Sequence, residues 1–197
     1  MNPFRIQREE LNVEKIGFLK NLIMLIWKGS NGEVSKTEDR LIEQVITEYY
    51  EAYFVGFKGY SASQRDALHK KFLIETATQG SATDTNEEVE ARINKRIKEM
   101  EDRRKALKVK ELSFNSFYEY STQRIPYICN ENKIAGIDIS TYNYMLMDFY
   151  RGGSHERTLN ENLDSTLFDE TFIVFEIDTI KDDPLLFPLV TLIIMDV

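Results

Sequence analysis

Between Val13 and Tyr150 apolar side chains recur at intervals of three and four residues, the spacing that lines up one face of an α-helix, and this confines most of the chain to packed helices. Asn12 is placed to cap a first helix carrying Val13, Ile16, Leu19, Leu22, Ile23, Ile26 and Trp27, with an apolar band that widens toward a deeply buried C-terminal end. Gly29-Ser30-Asn31-Gly32 reads as a turn. Ser35-Lys36-Thr37-Glu38 is a capping box, in which the serine oxygen and the glutamate each satisfy the other's orphan amide. It opens a second helix through Leu41, Val45, Tyr49 and Tyr53 to Gly56 and Gly59, and the first two helices are expected to form an antiparallel pair.

A third helix is expected from Ser63–Asp66, with Ala67, Leu68, Phe72 and Leu73, running into the polar stretch Thr78–Thr85. From Asn86 to Lys110 charged residues dominate and Val89, Ile93, Ile97, Met100 and Leu107 form a narrow stripe. Pairs in the order Glu99 to Arg103 each add roughly 0.3 kcal/mol to such a helix. The segment is expected to project into solvent or to hold a partner along one thin seam, with Glu99 and Arg103 facing that partner. Phe114, Phe117 and Tyr118 open a helix that Pro126 should end or kink. Tyr142, Met145, Leu146, Phe149 and Tyr150 form another, closed by Gly152-Gly153.

The character then changes. Thr171–Ile177 is a continuous β-prone run, the pattern of a strand buried on both faces, and Pro184–Val197 reads as an apolar helix starting at Pro184 or Pro188. Together they are half of a βαβ unit whose second strand is missing, which points to a segment of something larger. The fold class expected is mainly α: a helical domain over residues 1–150, followed over 151–197 by an incomplete piece of an α/β core.

The net charge of −8 argues against a surface for duplex DNA, and the single cysteine, Cys129, excludes an internal disulfide and a cysteine zinc cluster. The simplest location is the cytoplasm, with no secretory signal and no membrane span. No G-x-x-x-x-G-K-[ST] occurs anywhere in the sequence. Gly56-Phe57-Lys58-Gly59 follows a helix and reads as a turn, and Ile173-Val174-Phe175-Glu176 is only a loose likeness of a magnesium-ordering strand. His69 and His155 lack metal-ligand spacing, and Cys129 has no adjacent base. Arg151, Gly152, Gly153 and Arg157 could border a phosphate or a partner's acidic patch, although a helix stop is the better explanation of the glycines. Arg92, Lys95, Arg96, Arg103 and Arg104 suggest a nucleic-acid face, but nearly as many acids are interleaved with them.

Asn2-Pro3-Phe4, Tyr150-Arg151-Gly152-Gly153, Thr158-Leu159-Asn160-Glu161-Asn162 and Phe168–Asp178 resemble, in order, the TraG-type ATPases of conjugative transposons, relatives of the type IV secretion ATPases. The resemblance implies a RecA-like core with an inserted all-helical domain, this chain lying between the Walker A and Walker B regions. It implies a parent that uses ATP and magnesium to power DNA transfer, while this segment has no cofactor of its own and is not expected to hydrolyse ATP alone. It further implies as partners the remainder of the ATPase, other copies in a homo-oligomer and other transfer-channel proteins, at the periphery of the inner membrane; the acidic balance and interleaved charges separately argue against direct nucleic-acid contact. The alternative is a stand-alone helical adaptor without motor chemistry.

Overall fold

Asn12 caps the first helix as its sequence requires: its side-chain oxygen accepts from the Lys15 amide at 2.8 Å, and α1 runs over Val13–Lys28. A computed structural model describes residues 2–79, 85–161, 174 and 176–196. The expected capping box forms, with the Ser35 amide donating to Glu38 at 2.9 Å and the Glu38 amide donating to the Ser35 hydroxyl at 3.2 Å, and α2 follows over Lys36–Phe54. Lys28 to Glu38 at 2.6 Å and Lys20 to Glu43 at 3.3 Å set α1 and α2 antiparallel.

The remaining helices are α3 (Ala62–Gln79), α4 (Asn86–Ala106), α5 (Phe114–Asn132), α6 (Ile139–Met147), the single turn α7 (Glu156–Asn160) and α8 (Leu186–Asp196). The described chain is therefore mainly helical, and its helices divide into two compact units. The first comprises residues 1–54 and 109–197, and the second comprises Val55–Lys108.

In the first unit α2 and α5 trap an aromatic core. Phe4 is fully buried, stacked on Phe117 at 5.0 Å and edge-on to Phe114 at 5.9 Å. Asn2 and Pro3 deliver it there. The Asn2 side chain accepts from the Phe4 amide at 3.2 Å and donates to the Leu112 carbonyl at 3.0 Å, while the Tyr50 hydroxyl donates to the Phe4 carbonyl at 2.9 Å. Burial holds the phenols of Tyr49, Tyr50 and Tyr142 well above their ordinary titration range, so they remain neutral donors. Across α1, Trp27 meets Tyr142 of α6 edge-on at 5.2 Å.

The second unit is built on a smaller core. Phe72 of α3 packs with Ile93, Ile97 and Met100 of α4, flanked by Tyr60, Leu68 and Val89. Arg96 stacks on Phe72 at 3.8 Å and reaches Glu75 at 3.0 Å. A capping box of Ser61 with Gln64 starts α3 slightly ahead of the expected position, and one of Thr85 with Glu88 starts α4.

Four expectations change. The thin seam of the charged helix is filled by α3 of the same chain, because Phe72 and Leu68 supply the apolar surface that an outside partner would have supplied. Pro126 does not end α5, which continues to Asn132. The proline lies on the exposed side, where solvent can reach the carbonyl it leaves unbonded, and Ile125, Ile128 and Cys129 anchor the inner side. α6 stops at Met147, well before the glycines: the Phe149 and Tyr150 amides turn back to Leu146 and Met147, three residues behind, and tighten the backbone out of the helix. α8 does not lack a partner. It packs antiparallel on α1, with Leu189 and Ile193 buried, Ser30 donating to the Pro184 carbonyl at one end and Lys15 paired with Asp196 at the other.

Of the expected strand over Thr171–Ile177, residues 171–173 and 175 lie outside the described residues. Val174, Glu176 and Ile177 are described and carry no strand, and Val174 is 74% exposed, the opposite of burial on both faces. Among the described residues there is no strand, so an incomplete RecA-like sheet is not supported there. A 3-10 turn, Asp178–Ile180, follows, and Asp183 then caps α8 by accepting from the Leu185 and Leu186 amides at 2.9 and 2.7 Å.

Candidate functional site

Gly152 takes φ +78, a left-handed conformation that costs little only at glycine, and so turns the chain between α6 and α7. Gly153 is needed for a different reason. A Cβ there would lie 2.3 Å from the Asp148 carbonyl oxygen, so only a hydrogen fits. The turn is closed by the His155 amide donating to the Asp148 carbonyl at 2.9 Å and the Gly153 amide donating to the Tyr150 carbonyl at 2.8 Å. The amide of Gly152 donates to the Glu156 carboxylate at 2.9 Å. The His155 ring lies against Phe149 at 5.3 Å.

The two arginines of this segment do not converge. Arg151 lies 3.6 Å from Glu119 of α5, whose carboxylate also accepts from the Tyr150 hydroxyl at 2.6 Å. Arg157 is 89% exposed and pairs within its own helical turn, 3.6 Å from Glu161. Asn160 fastens the segment to the helices: its side chain accepts from the Asn115 amide at 2.9 Å and donates to the carbonyls of Phe149 and Glu156 at 3.0 and 2.8 Å.

In the second unit α4 presents two chemically distinct sides. At 100° per residue, Ile93, Ile97, Met100 and Glu101 point to α3, while Glu99 falls on the opposite side and Arg103 on the flank beside Met100, both exposed. Glu101 is 4% exposed and held by Arg65, whose Nη2 donates to its two oxygens at 2.8 and 2.7 Å; the Tyr60 amide adds a third bond at 2.9 Å. His69 meets Glu90 at 2.7 Å. A groove of about 480 Å³ between α3 and α4 is lined by both charge signs, among them Arg65, Lys98 and Lys105 together with Asp66, Glu101 and Asp102, and it opens to solvent at Lys98 and Lys105.

Both glycine turns have an amide engaged by a carboxylate of the chain itself. The Gly152 amide is taken by Glu156, and the turn containing Gly56 and Gly59 places Glu101 against Gly59 and on the Tyr60 amide, so a carboxylate stands where a phosphate oxygen would be received. Cys129 is buried, and burial pushes its thiol up, away from the thiolate a nucleophile requires. Among the described residues no cluster of three His, Cys, Asp or Glu side chains is placed to hold a metal ion, and no helix is long and apolar enough to cross a membrane.

The sequence reading missed one polar network. Arg124 of α5 donates from Nε to Glu48 of α2 at 2.6 Å and from Nη1 to Glu131 at 3.2 Å, and Gln44 supports Glu48 at 2.9 Å. Desolvation opposes the guanidinium charge, but the hydrogen bond to Glu48 and the two carboxylate charges outweigh it and hold Arg124 above its ordinary range. A detectable signal existed: Glu48 and Arg124 each occupy core-facing positions in otherwise apolar helical stripes.

The described residues thus form packed helices with charged surfaces. In comparisons with known proteins, a family model described as the TraG P-loop domain matches residues 53–197. No curated protein and no solved structure matches the chain. The match spans well over half the sequence and extends from the end of α2 through both units to α8, so the chain belongs to the TraG P-loop domain family.

Proposed function

We propose that this chain works as part of a longer conjugation ATPase, which uses ATP and magnesium on a RecA-like core to power type IV secretion and DNA transfer. The chain supplies helical scaffolding and protein contacts rather than the nucleotide site. One observation carries this reading: the chain belongs to a family defined by a P-loop domain, yet its sequence contains no phosphate-binding loop motif. The fit of the glycine turns to internal carboxylates supports it, because a chain built to hold phosphates would leave such amides open.

On this reading the exposed side of α4, marked by Glu99 and Arg103, meets a neighbouring subunit or another transfer-channel protein at the periphery of the inner membrane. The test is titration calorimetry with ATP and magnesium on this chain beside a longer chain extended in both directions. Binding only by the longer chain is the expected result. Micromolar binding by this chain alone would overturn the reading, and Gly152→Ala would then show whether the turn near α7 is responsible.

A further inference from the structure

The formal charge of −8 conceals a division between the two units. Val55–Lys108 holds 12 Lys and Arg against 9 Asp and Glu, a net of +3, whereas the remaining residues hold 13 against 24, a net of −11. Two acids of the basic unit are paired internally, Glu101 buried against Arg65 and Glu75 against Arg96, and because each pair removes one charge of either sign the net of +3 is carried by the other residues of that unit. Lys70, Lys95, Lys98 and Lys105 are exposed on α3 and α4. The family match spans both the basic unit and a large part of the acidic one, so the two charge signs belong to one family segment.

We infer that the basic surface of Val55–Lys108, with Lys70, Lys95, Lys98 and Lys105 as its outward cations, docks on the acidic unit of a second copy of this chain. This rests on the reading that the chain makes inter-subunit contacts, and adds which surfaces meet. Charge complementarity selects the partner: each copy carries both signs on separate bodies, and opposed potentials speed encounter and reject like-charged alignments. A nucleic acid is the poorer occupant. Asp66, Glu99 and Asp102 interrupt the cations, so there is no continuous track for a phosphate backbone, and the −11 unit on the same chain repels one.

Sedimentation velocity on the intact chain at about 0.05 M and about 0.5 M salt tests this, since screening at the higher salt shortens the reach of exposed charges to a few ångströms. The expected result is concentration-dependent association that weakens about tenfold or more at high salt and equally in the quadruple variant K70E/K95E/K98E/K105E. The variant with arginine at those four positions retains it, and circular dichroism confirms that each variant keeps its helices. A chain that stays monomeric at low salt overturns the inference, as does association indifferent to salt and to charge reversal. Binding of a short single-stranded DNA, abolished by the same quadruple variant in a chain that does not self-associate, overturns it in favour of a nucleic-acid surface. No nucleotide enters this experiment, so its outcome is separate from that of the calorimetric test.

Discussion

Arg124 on α5 donates to Glu48 on α2 at 2.6 Å, with side chains only 4% and 7% exposed. The guanidinium also serves a second carboxylate, Glu131, at 3.2 Å. Arg124→Leu leaves those acids facing each other in a poorly hydrated site and should cost about 3–5 kcal/mol, the usual loss when one member of a buried ion pair is removed. Arg124→Lys keeps the charge but not the planar fork, and should recover part of the loss. Urea unfolding of both variants beside the parent sequence measures the difference. Equal midpoints for all three would show that the network contributes nothing to stability.

Gly152 and Gly153 are expected to respond differently to the same substitution. Gly152→Ala meets open space but must adopt φ +78, at a cost of about 1–2 kcal/mol. Gly153→Ala drives a methyl group onto the Asp148 carbonyl, so the turn itself must shift, and with it the Asn160 bonds to Phe149 and Glu156. Thermal unfolding should rank Gly153→Ala clearly below Gly152→Ala. The reverse order would mean that the turn tolerates displacement and that its positive φ is the stronger constraint.

These two glycines also show what the sequence could and could not reveal. Their presence signalled a chain reversal, but their separate causes, a left-handed backbone at one and a carbonyl in contact at the other, arise only once α6 has ended at Met147. Capping was legible at Asn12 and at Ser35 with Glu38 because it is local, whereas α8 starts at Leu186 behind Asp183 and not at Pro184 or Pro188 as the prolines suggested. The stripe from Ile93 to Met100 was legible too, yet what covers it was not, since Phe72 lies in a different helix and no local pattern names a partner. Pro126 does not end α5, because propensity at one exposed position yields to the burial of Ile125 and Ile128 beside it.

Glu38 should link the stability of the first unit to acid. Burial alone would raise its carboxyl, but the Lys28 ammonium and the amide and hydroxyl of Ser35 outweigh that and hold it below its ordinary value of 4.5. A carboxylate depressed in the folded state contributes stability that is fully present above the unfolded value and is lost as pH falls through the folded one. Glu38→Gln keeps an acceptor for the serine but not the charge, so it should cost about 1 kcal/mol near neutral pH. The deficit should shrink as pH falls below 4.5 and through the lower folded-state value. Denaturation curves across that range test the sign: a deficit that grows with acid would contradict the depressed carboxyl.

The two sides of α4 should separate stability from association. Ile97 is 4% exposed against Phe72, and Ile97→Ala removes packing from a core of only a few large side chains, costing about 2–4 kcal/mol. Glu99 and Arg103 are exposed, so exchanging their charges with Glu99→Lys and Arg103→Glu should change unfolding by less than about 0.5 kcal/mol. If the outer side of this helix is where the parent ATPase meets its neighbours, the exchange should nevertheless weaken co-purification of the parent with its oligomer or channel partners. Parent assemblies that tolerate the exchange but fail with Ile97→Ala would show that α4 is required for the fold of its own unit and not for the contact.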